Sequence, residues 1–226
     1  MQPFRTVTGI AAPLPAANVD TDVIMPKQFL KGIDRRGLDR GAFFDLRFDE
    51  SGAPRPDFIL NQASWAGAVF LLVGPNFGCG SSREHAVWGL TQLGVRALIG
   101  TSFAGIFFDN CARNGVLAIT LPPDAHAPLL SAASQAERNR LSVDLEAQAI
   151  TTQDGAVTPF EIETPRRRAL LDGLDGIGLA LARADEIRAF EASHFACSPW
   201  LSPPGTRPAA PRPLHGASHA PPGRSR

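Results

Sequence analysis

The pattern of apolar and polar positions changes near residue 74, and the change predicts a strand followed by a helix. Residues 68–73 are apolar without a break, and a Gly-Pro pair closes this run, which is typical of a short buried strand. Farther on, Ala86, Leu90 and Leu93 recur at helical spacing and indicate one apolar helix face. The glycine-rich stretch 78–80 between the two predicts a tight turn in which the backbone comes close to a ligand.

The same order of elements continues downstream. Residues 95–99 form another short apolar run, residues 103–113 have helical character, and residues 116–121 are again apolar. Ser102 is the expected N-cap of this second helix, and Asn114-Gly115 is its stop signal. A strand–helix–strand–helix–strand order predicts parallel strands joined by crossover helices.

Other stretches of the chain predict strands outside this parallel unit. Residues 4–10 alternate weakly and are expected to form a first strand, and residues 141–150 alternate as one half-buried strand would. Asp154-Gly155 predicts a hairpin turn, after which residues 157–162 are expected to form the returning strand. The fold class expected from these patterns is α/β, with a partly parallel sheet flanked by helices.

Candidate chemistry follows the glycine-rich turn. Ser81 and Glu84 have the spacing of a capping box, so the helix is expected to start there. Ser81, Ser82 and Arg83 would then lie at the positive end of a helix, past the carboxyl end of a strand, where anions are favoured. Two hydroxyls and a guanidinium at this place suit a carboxylate or phosphate. The plainer alternative is that Ser81 is only an N-cap and Arg83 a solvated charge.

Two further polar segments have ordinary explanations when they are considered alone. Asp20 and Asp22 lie close together, as turn-forming or capping aspartates often do. Residues 31–40 are polar and punctuated by glycine, which predicts a mobile surface loop. By itself this pattern makes Arg35 and Arg36 solvated charges.

A resemblance to a known family changes these expectations. The stretch 78–86, Gly-Cys-Gly-Ser-Ser-Arg-Glu-His-Ala, resembles the swivel domain of the aconitase superfamily. Asn-Val-Asp-Thr-Asp at 18–22, followed by Pro-Lys-Gln-Phe-Leu at 26–30, resembles one branch, the small subunits of 3-isopropylmalate dehydratases. The similarity runs from about residue 4 to residue 201. It implies a swivelling β/β/α domain over residues 1–201.

The resemblance also implies roles for particular residues. Ser81 matches the family's catalytic base, while Ser82 and Arg83 match groups that hold a substrate carboxylate. Arg35 matches a substrate-contacting arginine on a loop where the family discriminates substrates, and Arg36 is a possible substitute. Asp22 matches an aspartate at the edge of the site, and orienting an arginine through a charged hydrogen bond is its expected task.

The reaction implied by the resemblance is a hydro-lyase reaction of leucine biosynthesis. It interconverts 2-isopropylmalate and 3-isopropylmalate by dehydration and rehydration. Cys79, Cys111 and Cys197 have the spacing of no zinc or iron–sulfur site, so neither a metal nor a cofactor is expected on this chain. The family's [4Fe–4S] cluster is then expected on a separate large subunit, with which this chain would act as a heterodimer. A homoaconitase-type or a citraconate/methylmalate hydro-lyase subunit remains the alternative within the superfamily.

The composition of the chain indicates which kinds of binding partner are not expected. The chain has 226 residues with 22 basic and 22 acidic side chains, so its formal net charge is zero, and neither nucleic acid nor a membrane surface is an expected partner. An odd number of cysteines without the spacing of a disulfide framework is typical of a protein in a reducing cytoplasm. Residues 202–226 are rich in Pro, Ala, Gly and Arg without periodicity, which predicts a disordered tail.

Three other classes of protein compete when the residues are taken alone. A nucleotide-binding protein is disfavoured, because Gly78-x-Gly80 lacks a third glycine and no Gly-x-x-x-x-Gly-Lys is present. A cysteine hydrolase would need Cys79 to be partnered by a histidine, for which His85 is the near candidate. A non-catalytic partner-binding module is left open by the isolated sequence.

Overall fold

A computed structural model describes residues 1–31, 35–80 and 83–202 of the chain. Within these ranges lie seven strands: β1 (Thr6–Leu14), β2 (Phe70–Val73), β3 (Ala97–Gly100), β4 (Leu117–Thr120), β5 (Arg140–Asp144), β6 (Ala149–Thr152) and β7 (Val157–Pro159). The same ranges contain eight α-helices: α1 (Thr21–Ile24), α2 (Phe44–Arg47), α3 (Glu84–Gln92), α4 (Gly105–Arg113), α5 (Pro123–Ala133), α6 (Thr164–Asp172), α7 (Gly176–Leu181) and α8 (Ala184–Cys197). Short 3₁₀ turns connect several of them.

The strands form one mixed sheet in the order β4-β3-β2-β1-β5-β6-β7. β1 joins its two halves: residues 6–10 pair antiparallel with β5, and residues 11–14 pair parallel with β2. β2, β3 and β4 continue parallel, while β5, β6 and β7 continue antiparallel. The predicted partly parallel α/β fold is therefore confirmed, although β1 extends four residues beyond the predicted strand, to Leu14.

The central strands are buried on both faces, which explains their unbroken apolar sequence. On one face Leu71 and Leu98 pack with Leu90 of α3 and Phe107 of α4. The opposite face packs in a second cluster that includes Leu129 of α5 and Leu170 of α6. The helices α3 and α4 therefore lie over the parallel half of the sheet, where their first turns follow the carboxyl ends of β2 and β3.

The alternating segment 141–150 forms a hairpin and not the single strand that was predicted. β5 ends at Asp144, whose carboxylate accepts the backbone N–H of Ala147 at 2.8 Å. Gln148 then adopts a left-handed φ of 53° before β6 begins. An aspartate that bonds the backbone three residues on closes a turn, and this turn leaves the period-two pattern intact on both sides.

The chain divides into two compact units, Met1–Ala180 and Leu181–Arg226. The second unit, described as far as residue 202, contains α8 and a final 3₁₀ turn, Pro199–Leu201. Arg183 pairs with Glu186 at 2.8 Å on its exposed surface. Apart from Ser202, which is buried, the segment predicted to be a disordered tail lies outside the described residues, and that expectation stays a prediction.

Within the described ranges, no helix has both the length and the apolar character that crossing a membrane would require.

Candidate functional site

The two aspartates after β1 have different tasks. Asp20 caps α1, because its carboxylate accepts the backbone N–H of Val23 at 2.8 Å. This is the local role that the sequence favours for such aspartates. Asp22 points elsewhere: its Oδ1 forms an ion pair with Nη1 of Arg83, sixty-one positions along the chain. The structure thus brings two of the predicted site residues together.

The glycine-rich turn after β2 has the backbone that was predicted for it. Gly78 and Gly80 adopt left-handed φ values of 76° and 85°. A Cβ on Gly78 would lie 2.1 Å from Cγ of Phe107, so no other residue fits there unless the Phe107 side chain moves. The Gly78 N–H donates to the carbonyl of Val19 at 2.7 Å, and this bond attaches the turn to the aspartate segment.

The start of α3 differs from the predicted capping box. The helix begins at Glu84, and Arg83 occupies the N-cap position with an extended backbone, φ −121° and ψ 105°. Glu84 Oε1 accepts a hydrogen bond from Nδ2 of Asn114 at 2.8 Å, so the glutamate is engaged away from the turn. The expectation that the helix starts at Ser81 is therefore wrong. Ser81 and Ser82 themselves lie outside the described residues, and their predicted roles stay predictions.

Arg83 is placed where a small anion can reach it. Its side chain is 22% exposed and that of Asp22 is 42% exposed, so the ion pair lies at the boundary with solvent. A cavity of about 120 Å³ opens beside the guanidinium. Its walls come from the α1 start, the glycine turn and the first residues of α4: Thr21, Gly78, Gly80, Ala104, Gly105, Ile106 and Phe107.

The polar loop that carries Arg35 is fastened to α3. The Arg35 guanidinium stacks on the ring of Trp88, 4.0 Å from its centroid, and the Arg35 carbonyl accepts a hydrogen bond from Gln92. Gln92 also accepts the backbone N–H of Leu38 at 2.9 Å, and Leu38 is buried. Residues 35–37 are exposed and lie outside helices and strands, whereas Leu38–Arg40 forms a 3₁₀ turn, so the described part is a surface loop with one buried anchor, and its mobility stays a prediction. No local pattern in the sequence indicated that Trp88 and Gln92 anchor it.

Arg35 does not line the cavity beside Arg83. Arg35 and Arg36 are both exposed, and residues 32–34 between them and α1 lie outside the described part of the chain. The assignment of either arginine to the substrate stays a prediction.

The cysteines occupy three separate environments. Cys79 is half-buried in the turn and its thiol lies 3.4 Å from the Asn18 carbonyl, whereas His85 packs against the Trp88 ring with centroids 4.5 Å apart. These contacts show no Cys79–His85 pair of the kind that a cysteine hydrolase needs. Burial raises the pKa of the Cys111 thiol, which behaves as a small apolar residue of α4. Across the described residues, no group of three or more potential ligands is placed to hold a metal ion.

Two asparagines at this site were not predicted. Asn18 and Asn76 flank the aspartate segment and the glycine turn, and their side chains are hydrogen-bonded to each other at 2.8 Å. Both have left-handed backbones, for which asparagine is a favoured residue. Asn18 is the first residue of the 18–22 motif and Asn76 lies just before the 78–86 motif, and this placement is the signal that the sequence offers.

Comparisons with known proteins match most of the chain. The aconitase C-terminal domain family matches residues 1–124, the LeuD_N family matches residues 127–164, and the C-terminal domain family of the 3-isopropylmalate dehydratase small subunit matches residues 177–204. The chain is 58% identical over 201 residues to 3-isopropylmalate dehydratase small subunit 1 of Mannheimia succiniciproducens, covering 89% of this chain and 99% of the relative. It is 54% identical over 212 residues to small subunit 2 of Salmonella typhimurium, covering 94% and 100%.

A solved structure agrees with the fold. The crystal structure of 3-isopropylmalate dehydratase (leuD) from Methanocaldococcus jannaschii is similar with a TM-score of 0.58 and 24% identity, and the match covers 82% of this chain and 99% of that one. At this identity the likeness supports the architecture alone. The assignment rests on the high identity to the curated relatives and on family matches that follow one another along the sequence. The chain belongs to the family of 3-isopropylmalate dehydratase small subunits.

Proposed function

We propose that this chain is the small subunit of a hydro-lyase that interconverts 2-isopropylmalate and 3-isopropylmalate by dehydration and rehydration in leucine biosynthesis. It acts in the cytoplasm as a heterodimer with a large subunit. The observation that carries the proposal is the Asp22–Arg83 ion pair beside a small cavity, in a chain of this family. An anchored guanidinium at that place suits one carboxylate of a malate derivative.

Arg83 holds the substrate in this proposal, and Asp22 fixes the orientation of its side chain. A guanidinium carries five N–H donors in a planar fork, more than one carboxylate partner uses. Asp22 engages Nη1 and leaves the fork with a defined direction. Because Arg83 lies immediately before α3, the positive end of that nine-residue helix adds to the attraction for an anion.

Ser81 is proposed as the base, and Ser82 as a second group on the substrate carboxylate. The base takes the proton next to a carboxylate while the hydroxyl leaves from the neighbouring carbon. A serine alkoxide needs strong local stabilisation at neutral pH, and Arg83 with the N–H groups at the start of α3 is proposed to supply it. Arg35, or Arg36 in its place, is proposed to contact the substrate's other end.

The iron–sulfur chemistry is proposed to belong to the partner. Cys79 lies in the glycine turn and Cys111 is buried inside α4, and among the described residues no group of three or more potential ligands is placed to hold a metal ion. A [4Fe–4S] cluster on the large subunit would supply the Lewis acid for departure of the hydroxyl group. This chain contributes the base and the groups that bind the carboxylates.

The test is reconstitution. The full chain is co-purified with its large subunit and assayed on 2-isopropylmalate, 3-isopropylmalate, homoaconitate-type tricarboxylates and citraconate. We expect turnover on the isopropylmalates from the complex and none from either subunit alone. Preference for a tricarboxylate or for citraconate would overturn the substrate assignment, and a stable complex inactive on every substrate would indicate a non-catalytic binding module.

The role of Ser81 is tested in the same complex. Because α3 begins at Glu84, Ser81→Ala is not expected to remove a helix cap. We expect turnover to fall about a hundredfold or more, the usual range for loss of a general base, with little change in melting temperature. Ser134→Ala, at the exposed end of α5, is the matched control and should be neutral. Near-normal turnover in Ser81→Ala would refute the assignment.

A further inference from the structure

We propose that Asn18 and Asn76 form a clasp that positions the Asp22–Arg83 pair for the reaction. The proposal rests on the proposed function, and it assigns a positioning task to two residues that do not line the cavity. Asn76 Nδ2 donates to Asn18 Oδ1 at 2.8 Å. The two residues lie in different loops, one after β1 and the other after β2.

The clasp is the outermost contact of a short ladder between these loops. Next to it, the Asn18 N–H donates to the Pro75 carbonyl at 2.9 Å and the Gly78 N–H donates to the Val19 carbonyl at 2.7 Å. The Thr21 N–H then donates to the Cys79 carbonyl at 2.9 Å, and Asp20 and Cys79 form a parallel bridge. One step beyond this ladder, Asp22 meets Arg83. The register of the ladder therefore decides whether the ion pair can form.

Asn76 also connects the turn to the wall of the cavity. Its backbone N–H donates to Oγ of Ser102 at 2.8 Å, which explains why this serine does not cap α4 as predicted. The Ser102 loop leads directly into residues 104–107, which line the cavity. Asn76 thus touches both the segment that orients the guanidinium and the segment that encloses the ligand space.

The backbone at both residues supports a positioning role. Asn18 and Asn76 have φ values of 57° and 56°, in the left-handed region that costs free energy for residues other than glycine. Local strain of this kind persists where surrounding contacts enforce it, and it is frequent at functional sites. The amide pair is exposed, so its hydrogen bond adds little to global stability. Its effect is therefore expected on alignment and not on folding.

Aspartate substitutions isolate the hydrogen bond, because aspartate also tolerates the left-handed backbone. In Asn18→Asp or Asn76→Asp, the remaining amide still donates to the new carboxylate, so the clasp survives. In the double Asp variant two carboxylates face each other and no donor is left. The double Asn18→Gly, Asn76→Gly variant removes the bond without adding charge and without backbone strain.

We expect each single Asp variant of the reconstituted complex to keep kcat/KM within about twofold of the wild type, and both double variants to lose about tenfold, a coupling typical of contacting residues. Melting temperatures should change little. Lowering the pH should raise the kcat/KM of the double Asp variant toward that of the wild type, because a proton shared between the two carboxylates restores a hydrogen-bond donor. The double Gly variant should show no such recovery.

A second set of variants tests whether the clasp acts through the Asp22–Arg83 pair. On an Asp22→Asn background the double Gly change should cause no further loss, because the pair that the clasp positions is already broken. An equal loss on both backgrounds, or normal kcat/KM in the double variants, would overturn the proposal.

Hydrogen exchange on the full chain alone keeps this proposal separate from the proposed function. We expect the Thr21 and Gly78 amides to exchange faster in both double variants and to be unchanged in the single Asp variants. Unchanged exchange in the double variants would refute the clasp, whereas absence of turnover in the wild-type complex would refute the proposed function.

Discussion

The parallel and antiparallel halves of the sheet are built from different sequence patterns, and the candidate site belongs to the parallel half. β2 and β3 are buried at all four positions. β5 alternates instead, and the polar face of this half carries hydroxyl contacts between β1 and β5, Thr8 to Ser142 and Thr6 to Asp144, each at 2.9 Å. One half is a layer inside the protein, and the other has one side facing water.

The difference explains why the candidate site residues of the described chain lie in the parallel half. Parallel strands deliver the loops that follow them to one edge of the sheet. Here the loops after β1, β2 and β3 bond to one another: Gly78 donates to Val19, and Ala104 donates to the Phe77 carbonyl at 3.0 Å. Residues from three distant stretches therefore meet beside Arg83. In the antiparallel half β5, β6 and β7 follow one another as hairpins, which bring together only neighbours in the sequence, and β1 is the distant strand that pairs with them.

The largest difference in activity is expected between two arginine substitutions, one in each half of the sheet. Arg83→Lys keeps the charge but loses the fork, so we expect kcat/KM of the complex to fall about a hundredfold, as for loss of a positioned donor. Arg140→Lys, exposed beside a groove on the antiparallel face, should stay within about twofold of the wild type. Steady-state kinetics measures both. Equal effects would show that the site is not confined to the parallel edge.

Two glycines with similar backbones give the next largest difference. Gly78 and Gly155 both have positive φ, 76° and 88°, but a Cβ would strike Phe107 at Gly78 and meet nothing within 4 Å at Gly155. We expect Gly78→Ala to cost about 3 kcal/mol, from strain and overpacking together. Gly155→Ala should cost about 1 kcal/mol from strain alone. Denaturant unfolding followed by tryptophan fluorescence measures both costs, and equal costs would show that the Phe107 side chain moves aside easily.

The elements of the parallel half were predictable, because apolar runs and helical spacing encode them directly. The starts of its helices were not. Arg83 keeps an extended backbone and pairs with Asp22, and Ser102 bonds Asn76, so neither predicted serine cap matches the observed helix start. Both deviations depend on partners more than twenty residues away, which local patterns do not contain.

In the antiparallel half the sequence pattern did not indicate the turn between β5 and β6, for a different reason. Residues 141–150 keep period-two alternation through the hairpin, and Asp144 closes its turn with a single side-chain bond. Around the candidate site, the residue types and their spacing indicated an anion-binding turn. The assignment of Ser81, Ser82 and Arg35 depends on family resemblance. Contacts such as Asn18–Asn76, fifty-eight residues apart, leave no periodic trace.

A smaller effect should come from the polar face of the antiparallel half. Thr8→Val removes the exposed hydrogen bond to Ser142 but retains a side chain that favours strands. We expect a loss of about 0.5 kcal/mol in unfolding free energy. Activity of the complex should be unchanged, and Thr8→Ser, which keeps the hydroxyl, should be closer to the wild type. A fall in kcat/KM with Thr8→Val would show that this face also serves the reaction.

The smallest effect concerns charge in the β5–β6 turn and depends on pH. The N–H of Ala147, with help from the Thr6 hydroxyl, holds the pKa of Asp144 below its ordinary value. A depressed pKa in the folded state stabilises the protein above the unfolded pKa of about 4, and this contribution disappears as the pH falls through the folded value. Asp144→Asn keeps an acceptor for Ala147 and a polar partner for Thr6, so the charge is the main loss.

We therefore expect Asp144→Asn to be slightly less stable than the wild type at neutral pH, with the difference vanishing in acid. Urea unfolding of both proteins at neutral pH and at successively lower pH measures this directly, since the contribution is lost as the carboxylate takes up its proton below the unfolded pKa of about 4. The same substitution should leave kcat/KM of the complex unchanged, because the turn belongs to the half of the sheet without the site. A difference in stability that grows toward acid would have the wrong sign for a depressed pKa. It would show that the hydrogen bonds of Asp144 do not favour its charged form.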